Sequence, residues 1–234
     1  QGGQNGRKTN STPLEDESRP AKIVEGGRQL VEQEKVLPGF NTLGKPSNTA
    51  IQKYMNQKKV PQLYVATGAS KWGKPKDFPW TMGYQPDYHT EGVIYAKHIL
   101  ANVPDAKVGV LMQNDDFGKD YVDGFKEGLG KDASKIVKLV TYEVTDPTVD
   151  SQVLSLQGSG ADTFINISTP KFSAQSIRKA YDSGWKPLQI INNVGASVGS
   201  VLTPVGLDKS TGLPPLQYYQ GANDQQWKDD PGVL

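Results

Sequence analysis

Cysteine is absent from the 234 residues of this sequence, and histidine occurs only twice, at His89 and His98. The lack of cysteine excludes disulfide bonds, thiolate zinc sites, iron–sulfur clusters and thiol nucleophiles. The two histidines are too far apart in sequence to share a face of one helical turn, so they do not predict a metal site. We therefore expect neither a metal ion nor another cofactor.

Neither sign of charge predominates, because the sequence has 26 basic and 25 acidic residues and a net charge of +1. A chain without a basic surplus is not expected to bind nucleic acid. No apolar run approaches the roughly 18–20 residues that span a bilayer, so no membrane insertion is expected.

An initiator methionine is also missing, since the chain starts at Gln1 without a basic or apolar leader. It stops just as abruptly at Leu234. We expect a fragment, with any targeting segment outside this sequence.

The strongest internal pattern is an alternation of short apolar runs with helical segments and glycine stops between residues 107 and 194. This rhythm predicts βαβ units and a parallel sheet, with strands buried on both faces. The predicted strands are 108–112, 137–144, 163–167 and 188–192. The predicted helices carry residues 121–129, 153–156 and 173–181.

A weaker version of the same pattern occupies the first third of the chain. It predicts helices at 21–33 and 47–57 and strands at 36–40 and 62–66. Residues 78–86 and 216–219 are expected to cross between lobes. The fold class is thus α/β, with two Rossmann-like lobes. The lobes are assigned as 1–83 and 84–216, with 217–234 returning toward the first.

Four segments resemble catalytic or metal-binding motifs, but none of them fits the pattern that the chemistry requires. Residues 68–74 have the spacing of a phosphate-binding loop, but Pro75 replaces the required hydroxyl residue and disfavours a helix there. Residues 195–199 match a nucleophile elbow, but both histidines precede that serine. Residues 176–179 are interpreted as a solvated helix face, and 114–116 as helix-capping residues. The sequence therefore does not predict an enzyme.

Two polar loops follow the predicted strands of the first lobe, at residues 41–48 and 67–70. In open parallel sheets, ligands bind beyond the carboxyl ends of the strands. Small residues and a helix start at Pro46 or Ser47 would leave main-chain N–H groups unpaired. Side by side, the two loops predict a receptacle for one carboxylate.

Several segments resemble the leucine/isoleucine/valine-binding-protein family, the type I periplasmic solute-binding subunits of ABC importers. They are TLGKPSNTA (42–50), VATGAS (65–70), QPDYHTEG (85–92), QNDDFGKDY (113–121) and DPTVD (146–150). TPKF (169–172) and WKDDPG (227–232) are most similar to members that take up aromatic acids and related carboxylates. The resemblance implies two lobes, a ligand in the cleft, hinge closure, and chain segments beyond both ends of this sequence.

The resemblance also implies site residues, position by position. The main chain at Leu43 and Gly44 and the side chain of Lys45 would face the carboxylate, and Gly68 and Ser70 would form the second loop. The full set of ligand-binding residues expected is Thr42, Leu43, Gly44, Lys45, Gly68, Ala69, Ser70, Tyr88, Phe117, Pro170, Asn193 and Val194.

The informative departure from the family pattern is Val194, where amino-acid-binding members carry an acidic residue that holds the ligand's ammonium group. An unpaired ammonium buried in a cleft would be costly. We therefore predict a monomeric protein that binds a small carboxylate with an aromatic or apolar body and no α-amino group. The expected protein partners are the membrane permease subunits of an ABC importer.

Three alternatives remain open at this point. The chain could be an amino-acid-binding member of the same family, or a ligand-sensing regulatory domain of the same fold. An enzyme on this scaffold would require a base within reach of Ser197.

Overall fold

The computed structural model describes Gly6, Lys8 and residues 10–13, 20–210 and 224–231. Two compact units divide the chain, Gln1–Asp87 and Tyr88–Leu234. The lobe limits 1–83, 84–216 and 217–234 stay predictions, and the predicted crossover at 216–219 lies outside the described residues. None of the helices in the described part of the chain is long and apolar enough to cross a membrane.

The first unit is a three-stranded parallel sheet, ordered β1-β2-β3, with helices between the strands. Its elements are α1 (Pro20–Glu32), β1 (Gly39–Phe40), α2 (Lys45–Lys58), β2 (Gln62–Val65), a 3₁₀ helix (Ser70–Gly73) and β3 (Thr81–Gly83). Ile23 of α1 packs against Ile51 and Met55 of α2 in a small buried cluster.

The two segments predicted at the edges of the first sheet, 36–40 and 78–86, are longer than the strands that form there. The predicted strand 36–40 shrinks to β1 because Lys35 has a positive φ of 50° and Pro38 has no N–H to donate to a ladder. The predicted crossing segment 78–86 contributes only β3, which pairs in parallel with β2.

The second unit is a four-stranded parallel sheet, ordered β5-β4-β6-β7, with helices between its strands, as the apolar rhythm predicted. Its strands and longer helices are α3 (Tyr88–Asn102), β4 (Val108–Gln113), α4 (Asp116–Leu129), β5 (Ile136–Tyr142), α5 (Asp150–Gly158), β6 (Thr163–Ile167), α6 (Pro170–Asp182) and β7 (Leu188–Ile191). Shorter helical turns are Gly130–Lys135, Asn193–Gly195, Val198–Leu202, Thr203–Val205, Leu207–Ser210 and Gln225–Trp227.

The core of the second unit lies on both faces of this sheet. Every residue of the two central strands, β4 and β6, is buried. The indole N–H of Trp185 donates to the main-chain oxygen of Ala161 at 3.0 Å, so a large aromatic side chain closes the core without an unpaired polar atom.

Three glycines bring α3 and α4 into main-chain contact. A Cβ atom on Gly92 would overlap the main-chain oxygen of Tyr121, and one on Gly124 would overlap that of His89. A Cβ atom on Gly128 would lie 2.9 Å from the main-chain oxygen of Val93. The two helices therefore run side by side in the same direction, at a separation that only glycine permits.

Candidate functional site

The two predicted first-unit loops lie next to each other. Leu43 and Ala66 form an isolated parallel bridge beyond the ends of β1 and β2. The N–H of Ala66 donates to the oxygen of Thr42 at 2.9 Å, which extends the ladder into both loops. The structure thus brings Thr42–Lys45 and Gly68–Ser70 to the same carboxyl edge of the sheet, where open α/β sheets bind ligands.

A buried asparagine, Asn48, holds the first of these loops. Its amide nitrogen donates to the main-chain oxygens of Thr42 at 2.9 Å and Gly44 at 2.7 Å. Its amide oxygen accepts from the hydroxyl of Thr42 and from Nε2 of Gln62, the latter at 2.7 Å. One side chain in the first turns of α2 therefore fixes the loop to the start of β2.

The loops are less open than the sequence predicted. The N–H of Gly44 makes a long bond of 3.5 Å to the oxygen of Ala66, and the N–H of Ala69 donates to the hydroxyl of Thr67 at 3.3 Å. Helix α2 begins at Lys45 rather than at Pro46 or Ser47, with Gly44 at φ 87° supplying no capping side chain. The uncapped helix start and the cation of Lys45 still favour an anion at this edge.

A cavity of about 530 Å³ adjoins the second loop within the first unit. Its lining combines the loop with the segment around β3: Thr67, Gly68, Ala69, Ser70, Trp72, Gly73, Pro75, Pro79, Thr81, Met82, Gly83, Gln85 and Asp87. Volumes of about 300–1,000 Å³ are usual for small-molecule sites. The space next to Gly68–Ser70 is therefore large enough for a small organic acid.

In the second unit, the remaining candidate residues follow the carboxyl ends of neighbouring strands. Phe117 comes after β4, Pro170 after β6, and Asn193 and Val194 after β7, so all four lie at one edge of the sheet. Asp115 caps α4, because its carboxylate accepts from the N–H of Phe117 at 2.9 Å. The capping role predicted for residues 114–116 is confirmed at this position.

Tyr88 and Phe117 are brought together by the glycine-spaced helices α3 and α4. Their ring centroids are 5.2 Å apart in an edge-to-face arrangement, and Tyr88 stacks on Tyr121 at 4.8 Å. Tyr88 and Phe117 are 4% and 6% exposed, so they belong to a packed aromatic cluster. A ligand can contact only the outer margin of this cluster. Their role as a ligand wall stays a prediction.

A chain of buried and partly buried hydrogen bonds joins the ends of β4, β5 and β6. The hydroxyl of Tyr142 accepts from the N–H of Thr169 at 3.1 Å and donates to Oε1 of Gln113 at 3.2 Å. Nε2 of Gln113 donates to the carboxylate of Asp115 at 2.7 Å. Burial raises the pKa of Tyr142 to about 12, so this phenol stays protonated.

Glu91 is a buried acidic residue of the second unit that the sequence interpretation missed. Its carboxylate accepts from the hydroxyl of Tyr95, from that of Tyr121 at 2.6 Å, and from the N–H of Asn193 at 2.9 Å. The helical period could have found it, because Glu91 shares the buried face of α3 with Tyr88 and Tyr95. The residue that approaches Asn193 is therefore acidic, although the loop itself carries no charge.

Burial raises the pKa of Glu91 above its ordinary value of 4.5, although the three hydrogen bonds oppose the shift. The unfolded chain then loses this proton at a lower pH than the folded chain does. Stability contributed by Glu91 is therefore full below about pH 4.5 and falls as the pH rises through the folded pKa. We expect Glu91→Gln to flatten the pH dependence of the free energy of unfolding over that window, as measured by urea titration at several pH values. Superimposable pH profiles for the two proteins would contradict this.

The structure also tests the discarded catalytic motifs. Residues 68–74 form only the short 3₁₀ helix Ser70–Gly73, and Lys74 has non-helical backbone angles, so the prediction that no helix starts at Lys74 is confirmed. The interpretation of Ser176 as part of a solvated face was wrong: Ser176 is fully buried and accepts from the amide of Asn166 at 2.8 Å. It lies on the inner face of α6, because a small hydroxyl can pair there with a polar residue of β6.

Comparison with known proteins gives consistent matches. A sequence model of the family described as periplasmic binding protein matches residues 1–230. Leu/Ile/Val-binding protein homolog 8 of Brucella abortus is 31% identical over 120 residues, which cover 50% of this chain and 30% of that protein.

Among solved structures, the chain is similar to an extracellular ligand-binding receptor from Rhodopseudomonas palustris HaA2, with a TM-score of 0.79, 21% identity, and coverage of 87% of this chain and 56% of that one. An ABC-transporter solute-binding protein from R. palustris, in complex with benzoate, has a TM-score of 0.78 and 17% identity, and the match covers 88% of this chain and 57% of that one. A leucine-binding protein from Thermotoga maritima has a TM-score of 0.76 and 16% identity, and the match covers 92% of this chain and 61% of that one. At these identities the likeness establishes the fold, and the chain spans little more than half of these structures.

Proposed function

Because the chain belongs to the periplasmic binding protein family, a family of solute-binding rather than catalytic proteins, we propose that it captures a small carboxylate for an ABC importer. The proposed ligand has an aromatic or apolar body and no α-amino group. Membership of the family implies a location outside the cytoplasm, and we propose the periplasm, with the importer's membrane permease subunits as partners.

The observation that carries the proposal is the junction of the two first-unit loops at the Leu43–Ala66 bridge. This junction supports a site in which Lys45, the start of α2 and the Gly68–Ser70 loop donate hydrogen bonds to one carboxylate. Hydrogen bonds to a charged group contribute about 1.5–3 kcal/mol each. Two of them anchor the acid group but leave the body of the ligand to supply the rest.

The body of the ligand fits the cavity beside the second loop, which has a volume of about 530 Å³. Burying an aromatic ring of about 150 Å² contributes about 4 kcal/mol at roughly 25 cal/mol per Å². We propose that Tyr88, Phe117, Pro170, Asn193 and Val194 of the second unit supply further apolar contact. After the cost of association is subtracted, these contributions permit a binding free energy of about −8 kcal/mol, which corresponds to a micromolar Kd.

The absence of an α-amino group is inferred from the residues around Val194. Val194 itself offers no charge, and the nearby acidic residue, Glu91, is buried and accepts from two phenols and the N–H of Asn193. The benzoate-bound neighbour supports this ligand class, whereas the Brucella and Thermotoga relatives favour the alternative of a branched-chain amino acid.

Isothermal titration calorimetry of this chain with benzoate and with leucine tests the proposal. We expect micromolar binding of benzoate and no saturable heat with leucine. At a hundredfold excess over Kd, benzoate should also stabilise the fold by about 2.7 kcal/mol in thermal unfolding. Tight leucine binding without a response to benzoate would establish the amino-acid alternative instead.

A further inference from the structure

Glu91 connects three parts of the second unit that the sequence leaves far apart. It lies in the first turn of α3, accepts from Tyr121 of α4, and accepts from the N–H of Asn193 after β7. We propose that Glu91 is a positioning residue that sets the Asn193–Val194 loop for ligand binding. This inference rests on the proposed function of the site.

The positioning argument follows from the geometry of the loop. Asn193 begins the 3₁₀ turn Asn193–Gly195, and its N–H points at Oε1 of Glu91 at 2.9 Å. The same turn is held from the other side, because the hydroxyl of Ser173 donates to the oxygen of Gly195 at 2.8 Å. Val194 therefore lies between two anchored main-chain positions, and the Glu91 anchor is the one with a charged acceptor, which makes the stronger hydrogen bond.

Glu91 also ties this loop to the aromatic cluster. Its Oε2 accepts from the hydroxyl of Tyr121 at 2.6 Å, and Tyr121 stacks on Tyr88 at 4.8 Å. A shift of Glu91 would therefore move the Asn193–Val194 loop and the Tyr88–Phe117 pair together, so the candidate residues of the second unit respond as one group.

Two variants separate positioning from charge. Glu91→Gln keeps an oxygen for the N–H of Asn193 and removes the charge, whereas Glu91→Ala removes both. We expect Glu91→Ala to weaken benzoate binding about tenfold and Glu91→Gln to retain it, both measured by calorimetry at mildly alkaline pH. The matched control is Glu127→Gln on α4, where the side chain is 69% exposed, and the benzoate affinity should stay at the wild-type value.

The amide resonance of Asn193 provides a readout that needs neither ligand nor variant. In the wild-type chain its proton shift should follow the ionisation of Glu91 as the pH is lowered. The titratable groups packed around Glu91 are the phenols of Tyr88, Tyr95 and Tyr121, and burial raises the pKa of Tyr121 further above its ordinary value. An Asn193 shift that ignores pH, or wild-type benzoate affinity in Glu91→Ala, overturns the inference. A wild-type chain that does not bind benzoate while Asn193 still titrates refutes the proposed function and leaves the Glu91–Asn193 anchor standing.

Discussion

Replacing Gly124 with alanine is expected to destabilise the chain by about 3 kcal/mol, the upper end of the range for overpacked sites. The added methyl group would overlap the main-chain oxygen of His89 and lie 2.7 Å from its carbonyl carbon. A main chain inside a helix cannot move aside as a flexible side chain can, so α3 and α4 must separate. Urea unfolding followed by circular dichroism measures this loss of free energy, and thermal unfolding should show a drop in Tm of roughly 10 °C.

Gly158→Ala is the matched control, because Gly158 is also helical, in α5 of the same unit, and no heavy atom lies within 4 Å of its added Cβ atom. Alanine is favoured over glycine in helices by up to about 1 kcal/mol, so this variant should be as stable as the wild type or slightly more so. Equal effects of the two substitutions would show that helix propensity, rather than the approach of α3 to α4, governs Gly124.

Replacing Asn48 with alanine is expected to weaken benzoate binding at least about tenfold and to destabilise the chain by about 3 kcal/mol. The substitution leaves Nε2 of Gln62 without its partner and removes one of the two bonds to each main-chain oxygen of Thr42 and Gly44, which still accept from the N–H groups of Ala66 and of residue 48. Buried groups that lose a partner cost about 1–3 kcal/mol each, reduced where water can enter. Calorimetry and urea unfolding measure the two effects separately.

Asn102→Ala removes an exposed asparagine that bonds only within its own helix, to His98, and stability should change by less than about 0.5 kcal/mol. Asn48→Asp is the sharper companion variant, because it keeps the accepting oxygen, loses both donated bonds and adds a negative charge beside the proposed carboxylate. We expect it to bind benzoate more weakly than Asn48→Ala does. Wild-type affinity in Asn48→Asp would mean that the ligand acid lies elsewhere.

The parallel sheets could be predicted from the sequence because their strands are continuous apolar runs. The predicted strand 163–167 coincides with β6, and the strands predicted near 108 and 188 start where β4 and β7 start. The resemblance to the leucine/isoleucine/valine-binding-protein family is confirmed by the family match, and the α/β fold is confirmed by the structural neighbours. Strand margins were less predictable, since Pro38 and the positive φ of Lys35 shorten β1.

The candidate site was predictable only in part. Loop composition and strand order placed Leu43 beside the loop that follows β2, and the Leu43–Ala66 bridge confirms that neighbourhood. The N–H groups of Gly44 and Ala69 make hydrogen bonds that depend on how the loops are aligned in the folded chain. Amino-acid composition does not predict that alignment. Glu91 was missed because its contact with Asn193 joins residues a hundred positions apart, and local sequence windows do not contain such a pair.

The glycine contacts between α3 and α4 divide two tasks between main chain and side chains. Tyr88 and Phe117 stand at the starts of these helices, whereas the contacts that set helix separation are made by main-chain atoms at Gly92 and Gly124. Exchanging either buried ring for a smaller one would leave those main-chain contacts in place but open a cavity in the aromatic cluster, so exchanges that conserve volume are the ones expected to keep full stability. The distance between the helices is therefore insensitive to such exchanges, whereas their stability is not.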